Sequence, residues 1–263
     1  MGANPDGKKS SMVHLLADAD DPVVRATAAR LTQQIPDDRG KVEKLFYFVR
    51  DDIRFGFPPK GDLTSASETL GLGFGQCNTK GTLFLALCRA AGVPARLHFS
   101  LIDKRIQRGL FHGLAYRLLP KRLSHSWLEV EIDGTWRRID GYINDAPFFS
   151  AALKELRQRG WDTGFSIAGA CGSASIDFAP EQDVFVQMDA VVQDHGVWDE
   201  PGAYYSSPAY RNRPGIFRLL VYRLLIGGIN NGIAVMRSAG IAPPHPRAAN
   251  DVAATTRGAS TSS

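Results

Sequence analysis

The stretch from Gly73 to Cys88, GFGQCNTKGTLFLALC, sets a cysteine directly after a glycine-punctuated loop and at the mouth of an apolar helical pattern. The thiolate is the nucleophile, and an unperturbed thiol with a pKa of about 8.5 is mostly protonated at neutral pH. The free N–H groups and positive dipole end of a helix N-terminus favour the anion. Gly73 and Gly75 allow the tight turn that leaves such a thiol approachable. The competing reading of any lone cysteine is a small buried apolar side chain. Cys88, well inside the helical pattern, and Cys171 take that second reading. For Cys77 the placement alone leaves the two readings balanced.

A cysteine nucleophile needs a base, and the base needs an orienting group. Of the histidines at 14, 98, 112, 125, 195 and 245, His125 is the best placed, and His112 reads as solvent-facing. His125 opens the alternating run HSWLEVEI, which the dipeptide Asp133-Gly134 joins to a second run, TWRRID, ending at Asp140. Asp-Gly between alternating runs signals a two-residue type I′ hairpin. That turn lays the runs side by side and brings His125 and Asp140 to the same edge of a sheet. An imidazole beside a carboxylate has its tautomer set by that neighbour, as a Cys–His pair requires.

The elements that must position these residues are legible in outline. Asp21 as N-cap and Pro22 at the first helical position open a helix whose apolar spacing is Val24, Ala28 and Leu31. A second helix carries Val42, Leu45, Phe46 and Val49 through DDRGKVEKLFYFVRDDIRF. A loop rich in Pro and Gly, GFPPKGD, and a short helix in SASETLGLG lead to the Cys77 loop. The Cys77 helix is stopped by Gly92 and Pro94, and ARLHFSLI alternates as a strand. Helices first, then a helix packed on an antiparallel sheet, indicate an α+β class rather than doubly wound α/β. Residues 1–11 and 243–263 are small, polar and proline-rich and read as disordered ends. Between them lie an expected catalytic domain at 12–190 and a C-terminal extension at 191–242. The extension's apolar segment 216–236 is expected to pack on the core, or to form a homodimer or dock a partner.

GQCNTKGTLFLALCRAAGVPARL followed by HSWLEVEIDGTWRRID resembles the transglutaminase-like superfamily of papain-type cysteine enzymes. The resembling pattern is Gly-x-Cys at a helix start, an apolar helix ending in Gly-Val-Pro-Ala-Arg, a His-x-Trp strand, and an Asp after the hairpin. VEKLFYFVRDDIRFGF is similar to the helix that precedes the active-site loop in that family, and the likeness covers about residues 20–142. It implies a transglutaminase-like/papain-like core with the Cys77 helix packed against the sheet. It also implies Cys77 as nucleophile, His125 as general base and acid, and Asp140 as the group orienting His125. The backbone N–H of Cys77 is an expected oxyanion donor. For a side-chain donor Gln76 is adjacent, and Ser65, Ser67 and Thr69 are further choices.

The implied chemistry is attack on a carbonyl, an acyl-enzyme thioester, and transfer of the acyl group to water or an amine. A cysteine hydrolase of amide bonds is the first expectation. An acyltransferase or amide-forming enzyme on a peptide, amide or thioester substrate shares the chemistry. A non-catalytic binding module on the same fold is the reading from another class. The connection DKRIQRGLFHGLAYRLLPKRL interleaves basic residues with apolar ones. It reads either as an entrance beside the site, with Arg105, Arg108, Phe111 and Tyr116, or as a solvated basic cover on the sheet.

Composition narrows the rest. The chain is 263 residues long, 44% hydrophobic and 22% charged, with a net charge of +4, an excess too small and scattered to argue for nucleic acid. Three widely spaced cysteines exclude a disulfide framework and a cysteine-rich zinc site, and no cofactor or metal is expected. The N-terminus lacks a signal-peptide pattern, and the interrupted C-terminal segment is not expected to span a membrane, so the expected location is cytoplasmic.

Overall fold

The computed structural model describes residues 15–213 and 215–241. The disordered ends expected at 1–11 and 243–263 lie outside them. Helix α1 (Pro22–Thr32) starts where its cap signal predicts, the Asp21 carboxylate accepting the N–H groups of Val23 and Val24. Helix α2 (Asp38–Tyr47) is capped by Asp37 and buries Val42, Leu45 and Phe46. The helical pattern then widens into a π-turn over Phe48–Asp52. That turn carries Arg50, whose buried guanidinium binds Asp51 and the carbonyl of Ile176.

Strand β1 (Arg54–Phe55) pairs in parallel with β2 (Phe74–Gly75), pinning together both ends of the intervening loop. Within that loop α3 (Ala66–Leu72) begins with a Ser65–Glu68 capping box and ends at Gly73 in the left-handed region, φ +68°. Two residues of β2 then deliver the chain to α4 (Cys77–Ala90).

The sheet is antiparallel and built from β3 (Ala95–Asp103), β4 (Arg122–Ile132), β5 (Thr135–Ile139) and a later strand. The expected hairpin is present: Ile132 pairs with Thr135 across Asp133 (φ +51°) and Gly134 (φ +74°), both left-handed as a type I′ turn demands. Between β3 and β4 the basic connection forms a 3₁₀ turn and the short helix α5 (Gly113–Leu118). Helix α4 lies directly on the sheet because Gly81 has no side chain. A Cβ there would meet the Tyr142 hydroxyl at 2.8 Å and Leu97 at 3.1 Å. Leu83, Phe84, Leu87 and Cys88 are fully buried, as their shared face predicts.

Helix α6 (Ala146–Gln158), the two-residue strands β6 (Thr163–Gly164) and β7 (Ile167–Ala168), and a loop follow. The fourth strand, β8 (Val191–Trp198), pairs with β3, so the order is β5-β4-β3-β8. Strand β8, at the start of the expected extension, thus lies in the same sheet as the strands before it. After α7 (Pro201–Ser206), α8 (Ile216–Ser238) packs on α6, burying Ile226 and Ile233.

Polar ties reinforce that packing. Asn230 brackets the backbone of Phe57, Tyr222 donates to the Pro58 carbonyl, and Arg237 pairs with Asp145 at 2.8 Å. By length and composition alone, Leu219–Ser238 is apolar enough to cross a membrane, with mean hydropathy 1.5. The glycines and asparagines that interrupt it are outweighed by its leucines and isoleucines.

Candidate active site

Gln76 is the N-cap of α4 and Cys77 its first residue. The Gln76 side chain does three things at once. Its Oε1 accepts the N–H of Asn78 at 3.2 Å and the thiol of Cys77 at 2.8 Å. Its Nε2 donates to Asp62 Oδ1 at 2.6 Å. The other Asp62 oxygen accepts the hydroxyl of Tyr210 at 2.9 Å. These partners fix the amide's orientation, because a backbone N–H must meet the oxygen and a carboxylate the nitrogen. The atom of Gln76 that faces the thiol is therefore an acceptor, and its donor is held by Asp62.

His125 stands on β4 opposite Ser100 of β3. The β4–β5 ladder ends at Leu128 and Ile139, so Asp140 emerges just beyond the pairing, on the side toward His125. Nε2 of His125 lies 3.5 Å from Asp140 Oδ2, and both side chains are fully buried. The carboxylate is held from its other side by the N–H groups of Val186 and Gln187. Gln187 is itself fixed by donating to Ser166. Among the described residues neither ring nitrogen of His125 has a hydrogen-bond partner, leaving Nδ1 uncommitted.

Cys77 is nearly buried, at 7% exposure. Burial pushes its thiol well above the ordinary range, and the carboxylates of Asp62 and Asp140 add to this. The N–H groups of Asn78 and of Ser126, which follows His125 on β4, act the other way. Asn78 extends the contact by donating from Nδ2 to Ser124 Oγ at 3.2 Å. In this closed arrangement Cys77 is a neutral thiol whose proton is directed at Gln76.

The other sequence-derived candidates have partners of their own. Arg108 stacks on Trp161 at 3.7 Å and donates to the Thr163 carbonyl; Arg105 pairs with Asp103. Phe111 packs edge-on against Phe57, and Tyr116 lies under Lys104. Cys171 is exposed, not buried as expected, because the loop turning through Gly169 and Gly172 leaves it facing solvent, its N–H donating to Asp162. His112 is exposed as expected. Asp62 and Tyr210 were not anticipated, since an acid in a Pro–Gly loop and a tyrosine in an aromatic run carry no spacing signal. A cavity of about 420 Å³ opens between β1, β2 and α8, lined by Arg54, Phe55, Phe74 and Arg237. It stands apart from the Cys77 cluster.

No curated protein is significantly similar to the chain. Among solved structures, a protein from Cytophaga hutchinsonii titled "Putative Cysteine Protease" is 22% identical over 47% of this chain and 37% of that one, with a TM-score of 0.36. A "Putative Protease" from Parabacteroides distasonis is 17% identical over 47% of this chain and 25% of that one, with a TM-score of 0.33. The chain thus spans well under half the length of either. The family model of the transglutaminase-like superfamily matches residues 25–141, which run from α1 through β5 and contain Cys77, His125 and Asp140. Residues 25–141 of this chain are thus similar to the transglutaminase-like superfamily, and in them α4 packs on an antiparallel sheet.

Proposed function

We propose that the chain is a cysteine enzyme that cleaves an amide or peptide bond through an acyl-enzyme on Cys77. The observation that carries this reading is the buried pair of His125, on β4, and Asp140, just past β5, with the N–H of Ser126 beside His125 acting on the Cys77 thiol. Nδ1 of His125 takes the thiol proton, and the sulfur attacks the carbonyl carbon of the substrate. Asp140, fixed by two backbone N–H groups, holds Nε2 and stabilises the imidazolium. The N–H of Cys77 at the start of α4 meets the developing oxyanion. Collapse breaks the C–N bond, and the imidazolium returns its proton to the leaving amine. Water, deprotonated by His125, then attacks the thioester, releasing the acid and restoring the thiol.

Transfer to an amine in place of water is the second reading, favoured by one observation. Cys77, His125 and Asp140 are all covered in this arrangement, and a site that excludes water prolongs the acyl-enzyme. Either reading requires the site to open for substrate.

The test is acylation by p-nitrophenyl acetate followed by mass spectrometry. An adduct on Cys77 is expected, absent in Cys77→Ala and formed about 10²-fold or more slowly in His125→Ala. Adding hydroxylamine then partitions the acyl group between water and an amine. Acylation of Cys77 at the same rate with and without His125 would leave the binding-module reading in its place.

A further inference from the structure

We propose that Asp62 is a positioning residue for Cys77, acting through Gln76 by fixing which end of its amide faces the thiol. The inference rests on Cys77 being the nucleophile proposed above. Its basis is the continuous chain of hydrogen bonds Tyr210–Asp62–Gln76–Cys77, with 2.9, 2.6 and 2.8 Å between donors and acceptors.

A primary amide offers an acceptor on one side and two donors on the other, so anchoring one end dictates the other. Asp62 accepts from Nε2, and Oε1 is thereby turned to the sulfur. An oxygen acceptor stabilises the protonated thiol, whereas an N–H donor would stabilise the thiolate. With its amide turned over, Gln76 would present Nε2 to the reacting centre. That is the side-chain donor role the sequence suggests for it. Asp62 therefore keeps Gln76 in the orientation that holds the thiol proton, and losing its contact with Gln76 releases the donor.

The anchor itself is held from the C-terminal side. Tyr210, which is buried, belongs to the segment following α7 and reaches back to a loop nearly 150 residues earlier. Among the described residues, the titratable groups whose charge acts on or is acted on by Cys77 include Asp62 from this loop, Asp140 beside His125 at the sheet edge, and the hydroxyls of Tyr142 and Tyr205. Of these, Asp62 is the group that acts through a side chain touching the sulfur.

Alkylation of Cys77 by iodoacetamide, read site by site from pH 5 to 10, tests this without any substrate. In Asp62→Ala the alkylation rate at a given pH is expected to rise about tenfold, the gain in thiolate that a thiol pKa lower by one unit gives. Asp62→Asn still accepts from Nε2 and should restore most of the native profile. In a Gln76→Ala background the Asp62→Ala gain should disappear. Asp62→Ser, too short to reach the amide, replaces the alanine variant should that one fail to fold. An equal gain in Asp62→Asn and Asp62→Ala, or a gain that survives Gln76→Ala, would show that Asp62 acts as a bare charge and overturn the proposal. An unchanged alkylation rate in the folded variants would overturn it too. Failure of the catalytic reading shows separately, as acylation indifferent to His125.

Discussion

Two apolar helices of this chain have opposite fates. From Cys77 to Cys88 every residue of α4 is buried, although Asn78, Thr79, Lys80 and Thr82 are among them. Helix α8 has the composition of a membrane span, yet Leu224 is 83% exposed and Val235 71%. The difference lies in what each helix is given to pair with. Most polar groups of α4 are matched, Thr82 to the Asn78 carbonyl, Lys80 to the Ile143 and Arg50 carbonyls and Asn78 Nδ2 to Ser124, while Asn78 Oδ1 has no hydrogen-bond partner among the described residues. Burial of polar groups is tolerable on those terms. On α8 the polar side chains Tyr222, Asn230 and Arg237 face inward as ties, and part of the apolar surface faces out. Burial here follows complementarity to neighbours, not mean hydropathy.

The contrast is broken most sharply by truncation. Leu83→Ala on α4 should cost about 2–5 kcal/mol, since a fully buried leucine leaves both lost transfer energy and a cavity. Leu224→Ala on α8 should change stability by no more than about 0.5 kcal/mol. Urea unfolding measures both, and comparable losses would mean that the outer face of α8 is covered in solution. A smaller effect concerns the ties. Arg237 pairs with Asp145, which also accepts the N–H groups of Phe55 and Phe148. Arg237→Met should cost about 2–3 kcal/mol, below the range of a fully buried pair because Arg237 keeps some exposure. Amide exchange should then speed up along α8 and leave α4 unchanged; acceleration in both helices would make them one cooperative unit.

The same contrast governs what was legible in the sequence. Local signals held where one short stretch specifies its own geometry: the Asp21 cap, the Ser65–Glu68 helix, the Asp133-Gly134 turn. The placement of His125 near Asp140 followed from that turn, because a two-residue hairpin fixes register. Asp62 was not legible, since its role arises only when a loop, a helix cap and a distant tyrosine meet. The exposure of Cys171 was hidden for a related reason: whether a small side chain in a glycine-rich loop faces inward depends on what packs over it. Along α8 the residues that interrupt the apolar pattern behave differently from one another: Asn230 ties inward to Phe57, while Arg223 and Asn231 stay exposed.

Lys80 gives the finest test of how α4 tolerates its polar residues. Burial pushes its ammonium down to about 7, with the carboxylates of Asp145 and Asp51 opposing the shift. In the unfolded chain it titrates near its ordinary value of about 10.4. From about pH 7 upward the unfolded state therefore holds a proton that the folded state has released, and stability rises with pH. The slope from this group is at most about 1.4 kcal/mol per pH unit. Above about 8.5 the buried thiols of Cys77 and Cys88 oppose it, because they ionise in the unfolded chain but stay protonated in the fold. The gain should thus be confined to roughly pH 7 to 8.5 and be absent in Lys80→Met. Subtracting the two stability curves cancels every other titrating group. Parallel curves would mean that Lys80 stays charged in the fold, stabilised by Asp145 and Asp51 more than by its two carbonyl partners. The buried face of α4 would then be electrostatic in character, and its contrast with α8 would rest on charge as much as on packing.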